Sequence, residues 1–104
     1  MRIEVLHIED CTNWEAAGSN VRAALAQLGD ATTPVTFRLI TSADEAAEVH
    51  FVGSPTIMLD GEDLFPSQGG ASELACRIYF TADGVAGLPT IVQLVEAIGP
   101  AATV

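Results

Sequence analysis

The chain has 104 residues, 49% of them hydrophobic and 17% charged, with fourteen acidic against four basic side chains and a formal net charge of -10. That apolar share supports a packed core and sets the chain apart from disordered acidic segments, and the length suits one domain over residues 1–104. The bases are the arginines Arg2, Arg22, Arg38 and Arg77, scattered singly with no lysine, so the clustered positive surface that nucleic acid or anionic lipid demands is missing.

Arg2 to Ile8 is nearly continuous in apolar residues (Ile3, Val5, Leu6, Ile8), the pattern of a strand buried on both faces. From Thr12 the period changes. Trp14, Ala17, Val21, Ala24, Leu25 and Leu28 recur every three or four residues and define one face of a helix that stops at Gly29, with Thr12 and Glu15 as its capping box. Cys11 therefore sits where a strand gives way to a helix. After Pro34, Val35 to Ile40 predicts a second strand, and Ser42 with Glu45 opens a short helix running to about Phe51. Gly53-Ser54-Pro55 breaks the chain before a third strand, Thr56 to Asp60, which the turn pair Asp60-Gly61 ends.

Glu62 to Ser72 reads as a surface loop, its Gly69-Gly70 pair a flexible point before the next element. Cys76 to Thr81 has the composition of a fourth strand and leads to a turn at Asp83-Gly84. Pro89 suits the first position of a last helix whose stripe of Ile91, Leu94, Val95 and Ile98 ends at Gly99-Pro100, with a frayed tail from Ala101 to Val104. The expected order is β-α-β-α-β-β-α: an α/β, three-layer arrangement with a central four-stranded mixed sheet. Its first three strands run parallel through helical crossovers and the fourth lies antiparallel to the third. No apolar run reaches the ~18 residues of a membrane span, and acids crowd the amino terminus in place of a leader, which together predict a cytoplasmic protein without a membrane partner.

Cysteine chemistry is the one functional signal. Cys11 and Cys76 are too few for a disulfide scaffold and lack zinc-finger spacing, so no metal and no cofactor are expected. A thiol beside the free amides of a helix start is drawn toward thiolate by ~0.3–1 kcal/mol. Glu9, Asp10 and Glu15 oppose that pull, and the balance predicts an accessible, modestly activated Cys11. Cys76 has two readings. One is a core filler on the strand face of Ile78 and Phe80; the other is a resolving thiol for Cys11, which needs Cα atoms within about 7 Å. Trp14 reads as core, or as the lid of a pocket beside Cys11. His7 reads as a buried, satisfied histidine, with soft-metal ligation alongside the thiols as a weaker option; His50 is structural at a helix end, and the acids Asp60, Glu62 and Asp63 are a solvated bend.

The element order, Asp10-Cys11-Thr12-Asn13-Trp14 after the first strand and Gly53-Ser54-Pro55-Thr56 before the third resemble the thioredoxin-like superfamily. The stretches Gly53 to Asp63 and Ala75 to Tyr79 also resemble small bacterial thioredoxin-like proteins. The resemblance implies a cis peptide bond at Pro55. It further implies a ligand side made of Trp14, Ser54, Pro55 and Thr56, with the Ser54 backbone free to pair with an extended peptide or thiol. One departure is plain. Trp14 replaces the second motif cysteine, giving C-x-x-W, so resolution must come from Cys76 or an external thiol. The implied function is an atypical thiol-disulfide protein acting on a protein or small-molecule thiol or disulfide, with Cys11 as nucleophile. A non-catalytic binding module of the same fold and a soft-metal or organomercurial-handling thiol protein are the alternatives.

Overall fold

A computed structural model describes residues 1–66 and 74–102, with side chains through Pro100. The elements are β1 (Ile3–His7), α1 (Asn13–Gln27), β2 (Val35–Leu39), α2 (Ala43–Glu48), β3 (Thr56–Leu59), β4 (Glu62–Asp63), β5 (Tyr79–Thr81), β6 (Gly84–Ala86) and α3 (Ile91–Ala102). Four of the strands form one mixed sheet in the order β2-β1-β3-β4, and β5 with β6 forms a separate two-stranded ribbon.

β1 is central, as its apolar run requires. Ile3 and Val5 enter a core with Ala17, Val21, Ala24 and Leu25 of α1, Ile57 of β3, and Leu94 and Ile98 of α3. Leu6 and Ile8 point to the other face, into a second core with Cys11, Ile40, Ala46, Phe51 and Met58. Both faces of the sheet are thus covered by helices, and among the described residues no helix is long and apolar enough to cross a membrane.

Strand direction departs from expectation in two places. β1 and β2 are parallel, but β3 runs antiparallel to β1, with Val5 opposite Ile57 and Leu6 opposite Thr56. β2 ends and β3 begins at the same end of β1, beside His7 and Leu6, so the segment holding α2 passes across that end of the sheet and β3 itself runs back. The fourth strand is also not Cys76 to Thr81. Asp60 and Gly61 both have positive φ, 51° and 88°, the geometry of a two-residue hairpin turn. The turn pairs Met58 with Asp63 and Leu59 with Glu62, so the stretch expected to be loop supplies β4. Tyr79–Thr81 pairs instead with Gly84–Ala86. The glycine pair at 69–70, the rest of the expected loop to Ser72 and the last two tail residues lie outside the described residues.

Two helix ends also differ. Thr12 makes no side-chain cap on α1, its own backbone being already near-helical (φ -92°, ψ -3°). Ser42 does cap α2, accepting the Glu45 amide at 3.1 Å, while the Glu45 carboxylate accepts the Thr41 amide at 2.9 Å. α3 passes through Gly99 and Pro100 to Ala102. Its start carries a reciprocal cap: the Gln93 amide donates to Thr90 Oγ1 at 3.1 Å and the Thr90 amide to Gln93 Oε1 at 2.9 Å.

Candidate functional site

The site assembles where the end of β1 meets the segment before β3. Cys11 follows β1 and is 2% exposed, part of the α2-side core, so the accessible thiol expected from the sequence is corrected to a buried one. Its sulfur lies 3.5 Å from the Ser54 carbonyl oxygen. The Ser54–Pro55 peptide is cis, as the resemblance implied. Ser54, Pro55 and Thr56 are all buried. The Ser54 hydroxyl accepts the Ile8 amide at 3.2 Å, which ties the proline bend to β1. The Thr56 hydroxyl donates to the Gly53 carbonyl and accepts the Val52 amide at 3.4 Å.

Cys76 is exposed, which excludes the core-filler reading. Cys76 shares a face with Ile78 and Phe80, as its spacing predicts, but that face is the exposed one, at 53% and 57% for these neighbours. The buried face belongs to Arg77 and Tyr79. The Ala75–Arg77 segment lies along Ser54 in a parallel bridge: the Ser54 amide donates to Ala75 O at 2.8 Å and the Arg77 amide donates to Ser54 O at 2.9 Å. The Ser54 backbone is therefore paired within the chain, correcting the expectation of a free edge. This pairing brings the two cysteines together.

The two thiols act on each other's acidity, in opposite directions. Burial pushes the Cys11 thiol up, yet the Asn13 amide, the Cys76 thiol and the Ser54 hydroxyl all favour its thiolate and together hold it below the usual thiol range. The Cys76 thiol is pushed up, first by the Cys11 thiol, then by burial, by the charge developing on Cys11 and by Asp10. The acids flanking Cys11 in sequence were expected to cancel its activation. Instead Asp10 acts on Cys76, and backbone and side-chain donors act on Cys11.

Trp14 and His7 belong to an aromatic cluster with Phe37. Trp14, half-buried, stacks on the His7 ring at 4.3 Å between centroids and packs edge-on against Phe37 at 5.4 Å. Gly18 lets Phe37 lie there, since a Cβ at that position would fall 2.5 Å from the ring. His7 is buried but not satisfied, because its Nδ1 has no hydrogen-bond partner. It does not join the cysteines, and among the described residues no group of three or more His, Cys, Asp or Glu side chains converges to hold a metal ion. His50 follows α2 in the left-handed region, φ 57°.

Three residues went unread as part of the site. Arg77 is 1% exposed and ion-paired to Asp63 at 3.0 Å, donates to the Phe65 carbonyl, and lies over the Tyr79 ring at 4.8 Å. Tyr79 in turn donates its hydroxyl proton to the Pro55 carbonyl, and burial pushes its pKa well above the usual phenol range. Asp63, expected in a solvated bend, is instead the partner of that buried cation. The available signal was a lone arginine inside an apolar run. Comparison of the chain with protein-family models, with curated proteins and with solved structures found no match.

Proposed function

We propose that the protein is an atypical thioredoxin-like thiol-disulfide protein whose redox couple is Cys11 with Cys76. The observation that carries this reading is that both cysteines meet at Ser54: the Cys11 sulfur lies 3.5 Å from its carbonyl oxygen, and the segment holding Cys76 pairs with it in a parallel bridge. The sheet order, with the bend entering β3 beside Cys11, supports the thioredoxin-like part.

The roles follow from exposure and acidity. When the pair has lost one proton, thiolate character falls to buried Cys11, the more acidic thiol, and exposed Cys76 keeps its proton. An external disulfide R–S–S–R′ meets Cys76 first. As the Cys76 sulfur bonds to one substrate sulfur, its proton passes to the Cys11 thiolate and on to the departing R′S⁻. Cys11, again deprotonated, attacks the Cys76 sulfur of the mixed disulfide and expels RS⁻. The dithiol loses two electrons and R–S–S–R′ becomes two thiols; the reverse direction oxidises a substrate dithiol. In this sequence Cys11 is the resolving nucleophile and needs no opening to solvent. The binding-module alternative relied on a free Ser54 edge, which the chain's own Ala75–Arg77 segment occupies.

Titration with oxidised glutathione under native conditions tests the proposal. A product lighter by two hydrogens, absent in Cys11→Ser and Cys76→Ser, is expected. Two free thiols throughout, or glutathione retained on Cys76 without exchange, would overturn it.

A further inference from the structure

Arg77 is an unusual use of a scarce residue. A chain with four cations and a net charge of -10 places one of them in its interior, its side chain 0% exposed. A buried ion pair is a weak source of stability, because the cost of desolvation offsets most of the attraction and an apolar side chain of similar volume often serves as well. What an arginine supplies that an apolar residue lacks is direction, since its planar fork has fixed donor positions. Here the donors reach Asp63 at 3.0 Å and the Phe65 carbonyl, while the guanidinium face lies on Tyr79.

The segment Arg77 belongs to is also held by two backbone hydrogen bonds to Ser54 and by the buried Tyr79 hydroxyl on the Pro55 carbonyl. Residues 76–78 are not in a regular strand; they hold to Ser54 by an isolated bridge. Side chains alternate along an extended segment, so a slip of one residue would turn Cys76 inward and Arg77 outward. The close fit on the other side limits movement as well: a Cβ on Gly53 would lie 2.8 Å from Arg77 Cβ.

We propose that Arg77 is a positioning residue for the Cys11–Cys76 couple: its buried ion pair with Asp63 pins the register at which Ala75–Arg77 lies on Ser54, and thereby holds the Cys76 sulfur on Cys11. The inference rests on the redox reading above. It assigns Asp63 to the same device.

Wild type, Arg77→Met and Asp63→Asn are equilibrated in glutathione redox buffers, and the intramolecular disulfide constant is read by mass under native conditions and again in urea. A purely structural role lowers the urea midpoint of both redox forms alike and leaves the native constant unchanged. Positioning lowers the native constant by at least about tenfold in both variants, with the urea constants equal in all three chains. Native constants within about twofold of wild type overturn the proposal, and Asp63→Asn, which keeps the shape of the site, decides it if Arg77→Met does not fold. A wild type that forms no Cys11–Cys76 bond overturns the redox reading itself, a result distinct from an unchanged constant.

Discussion

The carbonyl oxygen of Ser54 lies 3.5 Å from the sulfur of Cys11, and the same oxygen accepts the Arg77 backbone amide. One peptide group therefore touches the buried thiol and also holds the segment that carries the exposed one. Most of the expected behaviour of the pair follows from that arrangement.

Exposure and acidity point in opposite directions for the two thiols, and alkylation separates them. With iodoacetamide at neutral pH, Cys76 is modified first, and Cys11 reacts more than about tenfold more slowly than in the unfolded chain because burial shields it. Cys76→Ala removes a side chain that favours the Cys11 thiolate and raises the Cys11 pKa toward the ordinary thiol value, read by ultraviolet thiolate absorbance. Equal alkylation rates for both thiols in the native protein would contradict the assignment of faces.

Ser54→Ala removes the hydroxyl that accepts the Ile8 amide and favours the Cys11 thiolate. A buried amide left without a partner costs about 1–3 kcal/mol, so urea denaturation should show a loss in that range. The Cys11 pKa should rise in the same variant. A stability loss without a pKa change would mean that the hydroxyl serves only β1.

Asp30 accepts the amides of Thr32 and Thr33 at 2.9 Å and 3.0 Å and the hydroxyls of both, which holds its carboxyl down at about 2. The folded pKa is depressed, so the carboxylate stabilises the fold above the ordinary aspartate range near 4, and that contribution is lost as pH falls toward about 2. Asp30→Asn should flatten the acid side of the stability profile within this window and leave its shape above pH ~5 unchanged.

His7 carries a buried Nδ1 with no partner while its ring stacks on Trp14. His7→Phe keeps an aromatic face for the indole and removes the unsatisfied nitrogen, so the variant should be neutral or more stable, with native-like Trp14 fluorescence. A loss above about 1 kcal/mol would show that the imidazole has a partner it cannot do without.

Thr90→Ala opens the reciprocal cap of α3 and should cost about 1 kcal/mol by thermal or chemical unfolding. Gln93 also donates to the Phe80 carbonyl at 2.7 Å, so the β5–β6 ribbon should loosen in Gln93→Ala but not in Thr90→Ala, as amide hydrogen exchange would report.

Local signals in the chain were sufficient where neighbours in sequence decide the outcome. The nearly continuous apolar run of β1, the helical stripe of α1, the Ser42 cap, the Asp60-Gly61 turn and the break at Pro55 all arise from short-range sterics and from one element's own periodicity. The expected cap at Thr12 failed because its own backbone is already near-helical, and the expected stop failed because α3 continues through Gly99 and Pro100 to Ala102. Strand direction, the face presented by Cys76 and the meeting of the two thiols were decided by tertiary structure. Each depends on pairing between segments far apart in the chain, where a slip of one residue reverses inside and outside, so no single stretch of sequence carries the information.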